Sequence, residues 1–212
     1  MSKRLQLPAI YPITDLRLAS ATCHAQIVET LAGEGAGLIQ IREKTLSTRA
    51  FYLSAARSVA AARRHETRII INDDLGICLA TEADGIHLGG EDLPPEIARK
   101  VIGPSGIIGV SSHSVEEALD LSKAPVDYVA IGPIFPTSTK PTTRIPIGPE
   151  GIARLRSRID KPIVAIGGID DRNMKAVLEA GADSVAMISA IMTAENPGER
   201  YRRLMARIRH DE

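Results

Sequence analysis

Polar side chains follow short apolar segments at several points along this chain, and their types suit a phosphorylated ligand. The segment Gln40-Ile41-Arg42-Glu43-Lys44 follows one such run. Alternation along a strand directs Gln40, Arg42 and Lys44 to one side. An arginine offers a planar fork of donors and a lysine a point charge, and together they suit a polyphosphate. Solvated charges on the rim of the fold are the alternative interpretation.

Carboxylates form a second group of candidate residues. Asn72-Asp73-Asp74 ends one apolar run, and Glu91-Asp92 lies in a later loop. Two carboxylates from neighbouring strands, completed by water and diphosphate oxygens, are what Mg2+ requires. Helix capping is the alternative for each aspartate. We predict that Asp73 and Asp92 bind Mg2+ and that Asp74 caps the helix after it.

Glycines and a serine follow the last two apolar runs. Ile166-Gly167-Gly168-Ile169 lets the backbone approach a ligand closely, and Ile188-Ser189 opens a short helical turn. Backbone N–H groups from such a pair of loops bind phosphate in many α/β barrels. A tight turn with positive φ is the alternative, and it explains one glycine better than two.

Two further segments combine hydroxyls with a basic or imidazole side chain. Gly132–Arg144 carries threonines and a lysine between prolines, which predicts a polar lid, with an ordinary turn-rich loop as the alternative. Ser114 is predicted to cap the next helix, with Glu117 completing a capping box. His113 is at least as consistent with a structural hydrogen bond as with acid–base chemistry.

These residues need a framework, and short β-branched runs alternate with helical segments from end to end. The runs are continuously apolar, which is typical of parallel strands covered on both faces. The predicted strands are Ala9–Thr14, Leu38–Arg42, Arg68–Asn72, Gly85–Leu88, Ile107–Ser111, Tyr128–Gly132, Ile163–Gly167 and Ser184–Ser189. Helices are predicted over Thr48–His65 and Asp171–Ala180.

Eight strands, each followed by a helical segment, predict an α/β fold: a (β/α)8 TIM barrel forming a single compact domain over residues 1–212. An open doubly wound sheet is the rival architecture. No GxGxxG follows the first strand, which disfavours it.

Composition limits the partners. The 212 residues carry 26 basic and 26 acidic side chains, so no broad attraction to nucleic acid or an anionic membrane is expected. No apolar stretch is long enough to span a bilayer. Cys23 and Cys78 lack metal-ligand spacing and are predicted to be buried free thiols. We expect a cytoplasmic protein that acts on small molecules, with homo-oligomerisation left open.

Taken in order, these blocks resemble the thiamine-phosphate synthase family. The matching blocks cover roughly residues 9–195 and are Tyr11–Asp15, Gln40–Lys44, Ile71–Asp73, Ala83–Gly89 with Asp92–Pro94, Gly109–Ser111, Gly132–Lys140, Ile166–Ile169 and Ala186–Ile191. The resemblance implies a transferase that condenses hydroxymethylpyrimidine diphosphate with hydroxyethylthiazole phosphate, or its carboxylated form. The products would be thiamine phosphate and diphosphate, formed by a dissociative, Mg2+-assisted step. The chain departs from the family at Gly90, where glutamine is usual.

The resemblance also implies a role for each site residue. Catalysis would rest on Arg42, Lys44, Ser111 and Lys140. Residues around the pyrimidine diphosphate would be Gln40, Arg42, Lys44, Asn72, Ser111 and Lys140. Those around the thiazole phosphate would be Thr137, Thr139, Gly168, Ile188 and Ser189. Asp73 and Asp92 would hold Mg2+.

Three other functions compete with this interpretation. A thiazole tautomerase of the same fold family lacks the complete Thr-x-Thr-Lys segment that stands here at Thr137–Lys140. A sugar-phosphate isomerase or aldolase would need a catalytic lysine or glutamate on a strand, which we do not find. The third alternative is a binding or regulatory protein whose barrel no longer catalyses a reaction. Loss of Asp73 or Lys140 would favour it, and both residues are present.

Overall fold

Strands and helices alternate through the part of the chain that the structure describes, residues 5–137, 139 and 143–209 of a computed structural model. The strands are β1 Ile10–Thr14, β2 Leu38–Ile41, β3 Arg68–Asn72, β4 Gly85–Leu88, β5 Ile107–Ser112, β6 Tyr128–Ile131, β7 Ile163–Ile166 and β8 Ser184–Met187. The helices are α1 His24–Gly33, α2 Thr48–Arg63, α3 Leu75–Ala80, α4 Pro95–Ile102, α5 Val115–Leu121, α6 Gly148–Arg156, α7 Met174–Glu179, α8 Ser189–Met192 and α9 Pro197–Arg209.

The strands form one closed parallel barrel in sequence order. Each strand pairs with the next, and β8 returns to β1 with Val185 beside Ile10. The predicted (β/α)8 barrel in a single compact domain is confirmed. Since all strands run in parallel, their carboxyl ends meet at one rim, where the loops that carry the candidate residues also lie.

Alternation along each strand separates two apolar layers. Ile69 and Ile71 face the helices, whereas Ile70 packs inside the barrel with Leu38 and Tyr128. Both faces of the sheet are therefore dry, which is the physical reason for continuously apolar strands. No helix among the described residues is both long and apolar enough to cross a membrane.

Several predicted strands and helices extend further than the observed ones. Arg42, Gly132, Gly167 and the pair Ile188-Ser189 lie just after their strands rather than inside them. The helix predicted to end at His65 ends at Arg63.

The helix predicted from Asp171 begins only at Met174. The side chains of Asp170 and Asn173 accept the backbone N–H groups of Arg172 and Asp170, at 2.8 and 2.9 Å. Such local bonds offer the backbone a turn in place of a helix.

The predicted helix caps are confirmed, and the prediction of buried free thiols is confirmed for one of the two cysteines. Asp74 Oδ1 accepts the N–H of Ile77 at the start of α3, 2.8 Å away. Ser114 caps α5 by accepting the N–H of Glu117, and the Glu117 carboxylate reaches back to the N–H of His113, one residue before the usual capping-box partner. Cys23 and Cys78 are both free cysteines, but only Cys78 is buried; Cys23 immediately precedes α1 and is partly exposed.

Candidate active site

The buried carboxylate of Asp15 binds the side chain of Arg42 at the barrel rim. Arg42 Nη1 donates to Asp15 Oδ2 at 2.8 Å, and Arg17 binds both oxygens of the same carboxylate. Burial alone would raise the pKa of Asp15, but hydrogen bonds and positive charge from Arg17, with Arg42, outweigh it and lower the pKa. Asp15 is thus ionised and keeps the Arg42 guanidinium at the mouth of the barrel.

The loop after β2 is shaped by the carboxylate of Glu43. Its Oε1 accepts the backbone N–H groups of Lys44, Thr45 and Leu46, at 2.7, 2.5 and 3.1 Å. Its Oε2 contacts Nε2 of the buried His24, 3.2 Å away. Burial opposes ionisation, yet these hydrogen bonds lower the pKa of Glu43 to about 2. The carboxylate therefore fixes the backbone that carries Lys44.

Lys44, Asp73 and Asp92 form one charged cluster. Lys44 Nζ pairs with Asp73 Oδ2, and Asp92 Oδ2 accepts the N–H of Gly89 at 2.7 Å. Burial raises the pKa of Asp92; the Gly89 N–H opposes the shift, and the nearby Asp73 carboxylate adds to it. Asp92 does not cap α4, whose N-cap is Pro94.

The donor set of this cluster is compatible with a divalent cation that keeps most of its ligands from outside the protein. No group of three or more His, Cys, Asp or Glu side chains suited to a metal occurs among the described residues. Mg2+ in phosphate-transfer sites commonly keeps several waters and takes only one or two protein carboxylates. Asp73 and Asp92 supply two mutually repelling carboxylates, a donor set that a divalent cation would stabilise.

Asp73 also adopts an unusual backbone conformation. Its φ is +66°, in the left-handed region, and its N–H donates to the carbonyl of His87 at 2.9 Å. Non-glycine residues in this region are uncommon and cluster at functional sites. The bond to the end of β4 keeps the Asp73 carboxylate beside the β4–α4 loop that carries Asp92.

The floor of the mouth is a buried row of hydrogen-bonded side chains. Gln40 Nε2 donates to Tyr11 OH at 3.2 Å, and the two phenols Tyr11 and Tyr128 lie 3.2 Å apart. His87 links Tyr128 OH, 2.9 Å from Nδ1, to Ser111 Oγ, 2.8 Å from Nε2. Burial lowers the pKa of His87 to about 4, against the charge of Asp73. The ring is neutral at neutral pH. Asn72 is also buried at this end of β3.

The rim at β7 and β8 is built from backbone rather than charge. Gly168 has φ +66°, and a Cβ there would lie 2.5 Å from the carbonyl oxygen of Pro136. Its own carbonyl accepts the Asn173 side-chain amide at 2.9 Å. The N–H groups of Gly168 and Ser189 have no acceptor among the described residues. Ile188 is the N-cap residue of α8.

The β6–α6 loop contacts the part of the rim at β7 and β8. Thr139 Oγ1 donates to Ser189 Oγ at 2.9 Å, and Thr139 N–H contacts Thr137 Oγ1 at 3.3 Å. Lys140 lies outside the described residues. His113 Nδ1 donates to the carbonyl of Gly132 at 3.0 Å, which favours its structural interpretation.

Comparison with known proteins decides the family. The sequence model of the family described as thiamine monophosphate synthase matches residues 10–191. The chain belongs to the thiamine monophosphate synthase family.

Relatives support this membership over nearly the whole chain. A thiamine-phosphate synthase of Chloroflexus aurantiacus is 39% identical, covering 93% of this chain and 91% of that protein. One of Methanospirillum hungatei is 43% identical over 86% of this chain and 89% of its own. A solved thiamine phosphate pyrophosphorylase of Pyrococcus furiosus is 36% identical with a TM-score of 0.85, covering 95% of both chains. The predicted family and the prediction of an enzyme, a transferase of thiamine biosynthesis, are confirmed.

Five residues of the candidate site were not identified from the sequence: Asp15, Arg17, Tyr11, His87 and Tyr128. Asp15 and Tyr11 stand in a matching block, but nothing in their spacing shows that one binds Arg42 and the other Gln40. His87 and Tyr128 lie within predicted strands, and inward alternation was the available signal for them. The roles assigned to the individual site residues stay predictions.

Proposed function

We propose that this enzyme condenses hydroxymethylpyrimidine diphosphate with hydroxyethylthiazole phosphate and releases diphosphate, with Mg2+ bound. One observation carries the proposal. The charged cluster and the backbone N–H groups of Gly168 and Ser189, which have no acceptor in the part of the chain that the structure describes, occupy two separate parts of one barrel rim. Two phosphorylated substrates that must meet need two such sites side by side.

The charged part suits the diphosphate. Arg42 and Lys44 are held on the rim by Asp15 and Asp73, so their positive charge is in place before the substrate binds. Asp73 and Asp92 would hold Mg2+, which when bound neutralises charge on diphosphate oxygens. Lys140 is predicted from the sequence to add a third cation. These groups stabilise the negative charge that gathers on the departing diphosphate.

The floor suits the pyrimidine ring. Gln40, Asn72 and Ser111 present amide and hydroxyl groups at the end of the inner layer. An electron-rich aminopyrimidine tolerates a cation on its exocyclic methylene, so the carbon–oxygen bond breaks ahead of attack. The leaving-group charge is then the main barrier, and the cations act chiefly in the transition state.

The backbone part suits the thiazole phosphate. The N–H groups of Gly168 and Ser189 would bind the phosphate, with hydroxyls of Thr137 and Thr139 beside them and Ile188 against the ring. Fixing the phosphate orients the thiazole nitrogen toward the methylene carbon. That nitrogen attacks, forms the new carbon–nitrogen bond and completes the exchange for diphosphate.

A direct assay tests the proposal. The protein is incubated with both substrates and Mg2+, and thiamine phosphate, oxidised to its fluorescent form, is followed with released diphosphate. Equal yields of the two products are expected. Isomerisation of a carboxylated thiazole phosphate without diphosphate release would contradict the proposal and favour the tautomerase. Competition between the two thiazole phosphates identifies the preferred substrate. The cytoplasmic location and any homo-oligomer stay predictions.

A further inference from the structure

The buried row beneath the mouth connects Gln40 and Ser111, the two residues of the row that we assign to the pyrimidine ring, through the side chains of Tyr11, Tyr128 and His87. Tyr11 is 1% exposed and Tyr128 is 0% exposed. Gln40 lies at one end of the row, and Ser111, only partly buried, lies at the other. We call Gln40, Tyr11, Tyr128, His87 and Ser111 the floor relay.

The donors and acceptors along the floor relay can be assigned in order, starting from Gln40, and we call this order the direction of the relay. Gln40 Nε2 is a donor, so the Tyr11 oxygen accepts from it and the Tyr11 hydrogen goes to Tyr128. The Tyr128 hydrogen then goes to His87 Nδ1. A neutral imidazole that accepts at Nδ1 carries its hydrogen on Nε2, which must donate to Ser111 Oγ. Ser111 keeps its own hydrogen for a ligand.

We propose that the floor relay sets which hydrogen-bonding groups meet the pyrimidine ring: a donating hydroxyl at Ser111 and an accepting carbonyl oxygen at Gln40. Tyr11, Tyr128 and His87 are positioning residues in this scheme. The proposal rests on the proposed function for the identity of the ligand. The complementary ligand is a heteroaromatic ring that carries an amino donor and a ring-nitrogen acceptor.

The packing around Tyr128 fixes the positions of the side chains in the floor relay. A Cβ on Gly109 would lie 2.0 Å from the Tyr128 ring, so glycine at this inner position makes room for the phenol. Gly109 lies between His87 and Tyr128 in the strand register. The His87 and Tyr128 rings stack with centroids 5.6 Å apart, and Tyr11 meets Tyr128 edge-on at 6.1 Å. Both phenols are held where their hydroxyls meet.

The opposite direction of the hydrogen bonds would place the His87 ring hydrogen on the other nitrogen, which can be measured. If the Gln40 amide were reversed, its oxygen would accept from Tyr11, Tyr128 would donate to Tyr11, and His87 would carry its hydrogen on Nδ1. Ser111 would then donate to His87 and offer only an acceptor to a ligand. The position of the His87 ring hydrogen therefore reports the direction of the whole relay.

The first test measures the His87 tautomer by 15N NMR of the ligand-free wild-type protein and needs no enzyme activity. Hydrogen on Nε2 is expected, with a mixture of tautomers in Tyr128→Phe because Nδ1 loses its donor. Hydrogen on Nδ1 in the wild type, or a doubly protonated ring at neutral pH, would overturn the proposal.

The second test is kinetic and uses three buried tyrosines. Tyr128→Phe should lower kcat/KM for the pyrimidine diphosphate by about tenfold, the value of one net hydrogen bond. The KM for the thiazole phosphate should stay unchanged. Tyr11→Phe should do the same through Gln40 while leaving the His87 tautomer intact. Tyr201→Phe, a control on α9 at 1% exposure outside the barrel interior, should change neither value.

A double-mutant cycle distinguishes a relay from general loosening. Ser111→Ala should cost less in the Tyr128→Phe background than in the wild type, since both remove the same oriented donor. Additive losses, or equal effects on both substrates, would overturn the relay. An inactive wild type that still shows hydrogen on Nε2 of His87 would instead refute the proposed function and leave the relay direction standing.

Discussion

The rim of this barrel has two halves built by different means. At β2 to β4 the candidate binding groups are ionised side chains, and each cation has a carboxylate partner: Arg42 with Asp15, Lys44 with Asp73. At β7 and β8 they are the backbone N–H groups of Gly168, which has a φ of +66°, and of Ser189, which begins α8. Side-chain charge suits a group that gains charge as it departs, whereas fixed amides suit a group that only has to be held.

The comparison has a kinetic consequence. Changes in the charged half should lower the rate of the chemical step, and changes in the backbone half should weaken one substrate's binding. Four experiments can break or sharpen this division.

The largest effect is expected from Lys44→Ala. Loss of a charge-stabilising group costs about 3–4 kcal/mol, so the single-turnover rate should fall about 100–1000-fold with little change in the KM for thiazole phosphate. Lys44→Arg should recover only part of the rate. Lys100→Ala on α4, an exposed lysine, is the control for charge removal. An intact rate with weaker pyrimidine binding would make Lys44 a binding residue only.

Next in size is the Mg2+ requirement of Asp73→Asn and Asp92→Asn. Each variant should raise the Mg2+ concentration for half-maximal rate by about 10–100-fold. Asparagine tolerates positive φ, so Asp73→Asn keeps its backbone. Asp74→Asn is the matched control because asparagine caps a helix as well as aspartate. Mg2+ titrations identical to the wild type in both variants would show that these carboxylates bind no metal.

A moderate effect is expected from Gly168→Ala in the backbone half. An alanine at positive φ costs roughly 1–2 kcal/mol, and here it also meets the carbonyl of Pro136, so the KM for thiazole phosphate should rise about 5–30-fold. Gly35→Ala is the control, with φ +84° but nothing within 4 Å of the added Cβ. A lowered single-turnover rate at saturating thiazole phosphate would break the proposed division.

The smallest effect on the rate is expected from Glu43→Gln. Glu43 belongs to neither half of the rim directly; it holds the backbone of the loop that carries Lys44. The pKa of Glu43 falls from 4.5 in the unfolded chain to about 2 in the folded protein. Its stabilisation is therefore complete above about pH 5 and is lost as the pH falls through about 2. Glu43→Gln should lower the free energy of unfolding by about 1–2 kcal/mol near neutral pH.

Denaturant unfolding between about pH 3 and pH 7 measures this difference, which should shrink toward the acid end. Glu195→Gln, an exposed residue between α8 and α9, should stay within about 0.5 kcal/mol of the wild type. A difference between Glu43→Gln and the wild type that stays constant with pH would show that the lost contact is not ionic.

The candidate site was predictable where residue type and position carry the chemistry. Arg42, Lys44, Asp73 and Asp92 follow recognisable strands, and parallel strands of a barrel end at one rim. Capping by Asp74 and Ser114 was also predictable because a cap bonds within its own turn. The boundary of α7 was not, because Asp170 and Asn173 favour a local turn that competes with the helical pattern.

The sequence by itself determined the order of strands and helices, the inward or outward direction of each strand residue, and the charges brought to the rim. Only the tertiary structure decided the counter-ion of Arg42, the neighbouring placement of Asp73 and Asp92, and the floor relay. Tyr11 and Tyr128 are 117 positions apart and meet because barrel closure and strand register bring β1 and β6 across one interior, where Gly109 leaves space. Contacts of that kind depend on three-dimensional packing, which local periodicity does not encode.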